Sequence, residues 1–349
     1  MFTRTFLLVI LITCPLSTGL LQGVEPEQVK PFEALAEDVL ALSLSDENNV
    51  AIIAVSKKLF LYNLKDFRLL QTIDHEFSHR FLAQLSPDGS RIALCRSNNA
   101  SEVPLIRIVD LKKNATVVES NGGYPKSRPI QFVEDVRFTQ DRKSLIAIVN
   151  TKNDSGENSL LTINIEKKTE RSSLKLRGGE SNRGYYNNYS FLTDEILLGS
   201  TFTGVEETNG VLFGKPIVEF PNDTSILQIA SSSQNMAFYC LNYNSQKEFD
   251  DQVIKAVDYR TKKELFSVEF SHRVSSLSVS EDGSSLLVQR SERELACYSA
   301  LNGKQKWLIK ADCTDKILSY SYSSKNKLAA ILLEHKNGKT DVQWWKCSD

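Results

Sequence analysis

The chain has 349 residues, of which 41% are apolar and 24% charged. That allows a sizeable core and excludes wholesale disorder, a collagen-like rod and a multi-span membrane protein. Lys plus Arg total 42 and Asp plus Glu 43, a net charge of -1, so no field steers the chain onto nucleic acid or an anionic membrane surface.

Residues 1–23 read as a targeting segment. Arg4 is the one charge before Glu25, and Phe6 to Thr13 is an apolar run. Ser17 and Gly19 follow, which suits export with cleavage near Gly19 or Gly23. Two other readings stay open. Phe6 to Val24 offers 19 uncharged residues, barely enough to span a bilayer, and Pro15, Ser17, Thr18 and Gly19 interrupt it. Leu11-Ile12-Thr13-Cys14 resembles a bacterial lipoprotein box, which would make Cys14 a lipidation site. The expected location is secreted or periplasmic, with anchoring by the N-terminus as the alternative.

Residues 24–349 read as a single domain of repeats. EFSHR occurs at Glu76 to Arg80 and again at Glu269 to Arg273. Each copy precedes an alternating strand, a Ser-x-Asp-Gly turn and a second strand. The turns are Ser86-Pro87-Asp88-Gly89 and Ser280-Glu281-Asp282-Gly283. Ser86, Asp88, Ser280 and Asp282 read as hairpin residues, with Asp bonding backbone amides. Weaker copies place further turns near residues 45, 139, 193, 232 and 323. Seven units over 24–349 give about 47 residues each, close to one propeller blade. A third strand follows in each unit, as in KLFLYNL, and a tight polar turn leads to a fourth, as in RLLQTI. The alternation has period two, so these are strands. The predicted fold is all-β, a seven-bladed β-propeller of four-stranded antiparallel blades. The last unit supplies three strands before Asp349. Glu27 to Leu35 can supply the fourth, closing the ring and removing an exposed edge. A short amphipathic helix over Phe32 to Leu42 is the rival reading of that stretch.

The units resemble those of WD-repeat β-propellers, over nearly all of residues 24–349, with two units matching well. In that family a Gly-His pair opens the blade, and His, Ser, Asp and Trp form a buried tetrad. Here Ser78-His79 and Ser271-His272 stand at the Gly-His position, Ser97 and Ser291 can play the Ser, and Tyr298 falls near the Trp. No blade carries the Trp-Asp dipeptide. The resemblance implies that His79 and His272 are structural, bonded to a strand Ser. ALNGKQKW at Ala300 to Trp307 is similar to a quinoprotein-type propeller repeat, in which Trp packs between blades.

Catalytic signatures are missing: there is no G-x-S-x-G, P-loop, G-x-G-x-x-G, H-E-x-x-H or Ca²⁺-loop pattern. No C-x-x-C or Cys–His spacing suggests a metal, and no adjacent Cys pair suggests a quinone cofactor. Neither a metal nor a cofactor is expected. Cys95 and Cys240 lie in apolar runs and read as small buried hydrophobes. His75 and His335 read as solvated. Trp344 and Trp345 alternate, so one of them is expected to pack between blades. Asn-x-Ser/Thr sites at Asn99, Asn114, Asn153, Asn188 and Asn222 occur about as often as composition alone predicts.

Loop length carries the best functional hint. First–second and third–fourth turns read as short throughout. Length accumulates at 97–104, 119–132, 151–158, 177–188, 204–210 and 243–252, in connections that share one face of a propeller. Insertions on one face of a repeat fold often mark its binding face. That face would carry Tyr124, Lys126, Arg128, Arg183, Tyr185, Tyr186, Glu248, Asp250 and Asp251. The expected function is a non-catalytic, monomeric extracytoplasmic scaffold that holds a protein partner there. It would bind no nucleic acid, and touch a membrane only through an N-terminal anchor. The alternative is a small-ligand-binding or enzymatic propeller that uses the central channel.

Overall fold

The computed structural model describes residues 26–29, 37–77, 79–96, 105–121, 130–151, 158–176, 189–200, 204–208, 215–221, 224–244 and 251–348. Among them are 28 strands and no helix. Blade 1 is β2 (Ala41–Ser45), β3 (Val50–Val55), β4 (Lys58–Asn63) and β5 (Leu69–Asp74). Blade 2 is β6 (Phe81–Leu85), β7 (Arg91–Arg96), β8 (Ile106–Asp110) and β9 (Ala115–Ser120). Blade 3 is β10 (Ile130–Phe138), β11 (Ser144–Thr151), β12 (Asn158–Asn164) and β13 (Thr169–Leu176). Blade 4 is β14 (Tyr189–Phe191), β15 (Leu197–Ser200), β16 (Gly204–Thr208) and β17 (Lys215–Glu219). Blade 5 is β18 (Thr224–Ser232), β19 (Ala237–Asn244), β20 (Gln252–Asp258) and β21 (Glu264–Phe270). Blade 6 is β22 (Ser276–Val279), β23 (Ser285–Gln289), β24 (Glu294–Ser299) and β25 (Gln305–Lys310). Blade 7 joins β26 (Lys316–Ser323), β27 (Leu328–Glu334) and β28 (Thr340–Lys346) to β1 (Glu27–Val29).

Every blade is a four-stranded antiparallel meander. Position within the blade explains its sequence pattern. Second strands lie between both neighbouring blades, so β7, β23 and β27 are buried on both faces and read as continuous apolar runs. Fourth strands form the outer rim and are mostly exposed, as β5 and β21 show.

Each blade buries one face against each neighbour, which makes seven apolar seams. Ile52 meets Leu94 between blades 1 and 2, and Ile106 joins Ala147 between 2 and 3. Ile148 and Phe191 belong to the smallest seam, between blades 3 and 4. Val205 and Phe238 join 4 to 5, and Tyr239 and Leu286 join 5 to 6. Trp307 and Ile331 join 6 to 7, and Trp344 and Ile53 join 7 to 1. The last seam links the two ends of the sequence, so the ring is closed. Trp307 is fully buried and meets Tyr322 edge-on, with ring centroids 5.3 Å apart. Truncating such a side chain to Ala typically costs about 3–5 kcal/mol. Trp344 is buried against Phe67, and Trp345 turns to the other face.

The closing strand is the one expected. Glu27, Gln28 and Val29 pair with Lys346, Trp345 and Trp344. The rival helix fails where it can be seen: residues 37–40 are not helical, and Ala41 and Leu42 open β2. Residues 32–36, the targeting segment 1–23 and Cys14 lie outside the described residues. Among the described residues no helix is long and apolar enough to cross a membrane.

One expected loop is a strand. Gly204–Thr208 forms β16, the third strand of blade 4. A side chain at Gly204 would collide with the carbonyl of Val218, so glycine here allows close strand approach beside a bulge rather than a flexible connection. Blade 4 also breaks the short-turn rule, because its third–fourth connection spans 209–214.

Candidate functional site

The antiparallel meander puts first–second and third–fourth turns on one face. Second–third and inter-blade connections emerge on the other. On that second face the connections 97–105, 121–129, 152–157, 177–188 and 245–251 are long and belong to blades 2 to 5. Asp251 lies there, exposed, just before β20. Tyr124, Lys126, Arg128, Arg183, Tyr185, Tyr186, Glu248 and Asp250 lie outside the described residues.

The short-turn face is fully formed in six blades, with two turn chemistries. Blades 2, 3 and 6 use hydroxyl-x-Asp. The hydroxyls of Ser86, Thr139 and Ser280 donate to Asp88, Asp141 and Asp282 at 2.7, 2.6 and 2.7 Å. They accept from the N–H of Arg91, Ser144 and Ser285 at 3.0, 3.1 and 2.9 Å. Burial works against the charged form of Asp88. The Ser86 hydroxyl, both donors of Ser90 and the charge of Arg142 outweigh it and bring the carboxyl down to about 2. Burial likewise opposes the charge on Asp282, and the hydroxyls of Ser280 and Ser284 hold its carboxyl below the usual range.

Blades 1, 5 and 7 use Ser-x-x-Asn followed by a left-handed residue: Asn49 at φ 55°, Met236 at 49° and Lys327 at 52°. Ser45, Ser232 and Ser323 accept from the N–H of Asn48, Asn235 and Asn326. Two of the asparagines then reach the next blade: Asn48 donates to the Ser86 carbonyl at 3.0 Å and Asn235 to that of Gly283, while Asn326 donates to Ser323 of its own turn at 2.8 Å. Similar bonds run along this rim. Asp46 of blade 1 accepts from the Ser323 hydroxyl and from Ser324 N–H and hydroxyl at 2.9 and 2.8 Å. Gln140 N–H donates to Asp194 at 2.7 Å. Glu281 of blade 6 reaches past blade 7 and accepts from the N–H groups of Asp46 and Glu47 at 2.5 and 3.3 Å. Burial, with the charges of Asp46 and Glu47 adding, pushes the Glu281 carboxyl up.

These turns surround a cavity of about 550 Å³ at the end of the central channel. It is lined by Asp46, Glu47, Pro87, Gln140, Arg142, Gln234, Glu281, Asp282, Ser324 and Lys325. It lies on the opposite face from the loops singled out in the sequence. Sequence reasoning took Asp282 and Glu281 as turn residues only, because nothing local shows that six blades converge there. Further in, on the innermost strand of blade 3, Asp135 opens onto solvent but is surrounded by protein. That partial desolvation pushes its carboxyl up to about 6, the charge of Glu134 adding and Val136 N–H and Arg137 opposing. Its signal was readable, as two adjacent acids inside an apolar strand.

The histidines depart from expectation. His75 is 4% exposed rather than solvated. Its ring meets Phe81 edge-on at 5.0 Å, and Nδ1 accepts from Phe77 N–H at 3.1 Å. Burial pushes its pKa down. His335 is not free in solvent either. Its Nδ1 lies 3.0 Å from Asp315 and its Nε2 3.2 Å from Asp341. His272 accepts from Arg290 Nε–H at 3.1 Å and stands edge-on to Phe270, while Ser291 accepts from Arg293 N–H in its own turn. His79 is exposed, and Ser78 and Ser97 lie outside the described residues. Tyr298 is buried against Phe270 in the seam between blades 5 and 6. Among the described residues no three His, Cys, Asp or Glu side chains gather as a metal site.

The chain matches no protein-family model and no curated protein.

Proposed function

We propose that this chain is an exported, non-catalytic propeller of the WD-repeat and quinoprotein-like kind, acting outside the cytoplasm as a protein-interaction scaffold. One observation carries the reading. The longest connections, 97–105, 121–129, 177–188 and 245–251, all lie on one face, while the opposite face is made almost entirely of tight turns. In repeat folds such one-sided insertions mark binding faces. The residues of those connections include Tyr185, Tyr186, Arg128 and Arg183, types favoured at the centre of interfaces. The test is the double variant Tyr185→Ala/Tyr186→Ala. It should keep the native unfolding transition and lose the partner that cross-links to the native protein. A variant that retains the partner overturns the reading.

The cavity favours a second reading, a propeller that holds a small ligand at the end of its channel. Its volume of about 550 Å³ falls within the range of about 300–1,000 Å³ usual for such sites. A co-purifying small molecule released on unfolding would support it. A mass spectrum without one would count against it.

A further inference from the structure

The lining of the channel mouth narrows what it can hold. This inference rests on the second reading above, that the mouth takes a small ligand. Among the described residues Pro87 is the one apolar residue of the lining, and no aromatic ring is present. A nucleobase has nothing to stack on there. Asp46, Glu47, Glu281 and Asp282 face two cations, Arg142 and Lys325, which opposes a phosphate or any polyanion.

The four carboxylates come from blades 6 and 1, with Lys325 of blade 7 among them, so that side of the mouth stays net negative, while Arg142 comes from blade 3, apart from them around the ring. Asp46 is saturated by the turn of blade 7. Glu47 is exposed, and its carboxylate makes no bond among the described residues. Glu281 uses Oε2 and leaves Oε1. The Arg142 side chain is 53% exposed and approaches Asp88 no closer than 3.7 Å, beyond hydrogen-bond distance. Gln140, in the same turn as Arg142, and Gln234 of blade 5 offer amides with both donors and acceptors.

We propose that the channel mouth binds a short dipolar peptide. A basic side chain would lie toward Glu47 and Glu281, and a free C-terminal carboxylate toward Arg142. The backbone amides of the peptide would meet Gln140 and Gln234. Glu47 and Arg142 carry the specificity, because the Glu47 carboxylate makes no bond among the described residues and the half-exposed Arg142 guanidinium has only a loose ion pair with Asp88.

The experiment is calorimetric titration of the whole protein with three probes. They are acetyl-Gly-Lys-Gly as the free acid, its C-terminal amide, and the free acid with norleucine in place of lysine. The free acid with lysine should bind most tightly, and removal of either charge should weaken binding by up to about fivefold, as one partly exposed ion pair does. Arg142→Gln should shrink the difference between acid and amide, and Glu47→Gln the difference between lysine and norleucine. Both variants should keep the native unfolding midpoint. Equal binding of all three probes overturns the dipolar class and leaves the channel reading standing. No heat and no thermal shift with any probe at millimolar concentration overturns both.

Discussion

The side-chain oxygen of Asn48 lies 2.5 Å from the point that a Cβ on Gly89 would occupy. Gly89 has φ 63°, so it is held by backbone conformation and by the neighbouring blade together. Gly283 repeats the arrangement under Ser232 and Asn235 of blade 5, at φ 72°. The third hydroxyl-x-Asp turn, in blade 3, carries Arg142 at the same place with φ 65°. The blade before it has no asparagine to reach across, so a side chain fits. Gly338 has φ 78° and nothing within 4 Å. Gly89→Ala should therefore cost about 2–3 kcal/mol, backbone strain plus the displaced Asn48 bond, and Gly338→Ala about 1 kcal/mol. Urea unfolding measures both. Equal costs contradict the account. Asn48→Ala should reduce the penalty of Gly89→Ala in a double-mutant cycle.

His335 should make stability pH-dependent. Asp315 first and Asp341 next hold its pKa above the usual value of 6.5, and both contacts are satisfied only when both ring nitrogens carry protons. The folded chain thus binds this proton more tightly than the unfolded chain. The stabilisation is complete below about 6.5 and fades as pH rises through the raised folded value. His335→Gln should flatten that part of the stability curve. An imidazole titrating at or below 6.5 by NMR would contradict the clamp.

Thiol labelling should find one reactive cysteine in residues 24–349. Cys95, Cys240, Cys297 and Cys347 are buried and Cys313 is exposed. Burial also pushes the Cys95 and Cys240 thiols up, which removes the reactive thiolate. A chromogenic disulfide should titrate one equivalent in the native protein and all five in urea. Two fast equivalents would contradict the seams.

Removing Glu27–Val29 should open the ring. The strand pairs with Trp344, Trp345 and Lys346, and without it the outer edge of β28 loses that partner. A chain starting at residue 31 should melt several degrees lower and associate at high concentration. An unchanged transition would mean that the seam of Trp344 and Ile53 closes the ring alone.

What could be read early was local chemistry. Period-two alternation, two Ser-x-Asp-Gly turns and five weaker copies place all seven first–second turns, because a hairpin is specified by the residues within it. The position of β1 followed from counting strands in the last unit. What could not be read was juxtaposition. Asp46 meets Ser324 across 278 positions, and Glu281 meets Asp46 across 235. Nothing local in the Ser-x-x-Asn turns announces that Asn48 crosses to the next blade. His75 was misread because the aromatic pocket that buries it is completed by Phe81, beyond the end of its own strand. Gly204 was misread because a glycine required by strand approach looks the same as one in a loop.

Native mass spectrometry of the protein purified gently from its own cells tests the scaffold reading most directly. The account predicts a stoichiometric protein adduct on the native chain, absent from Tyr185→Ala/Tyr186→Ala of equal stability. A bare chain would contradict it, and an adduct of small-molecule mass alone would contradict it and move the function to the channel.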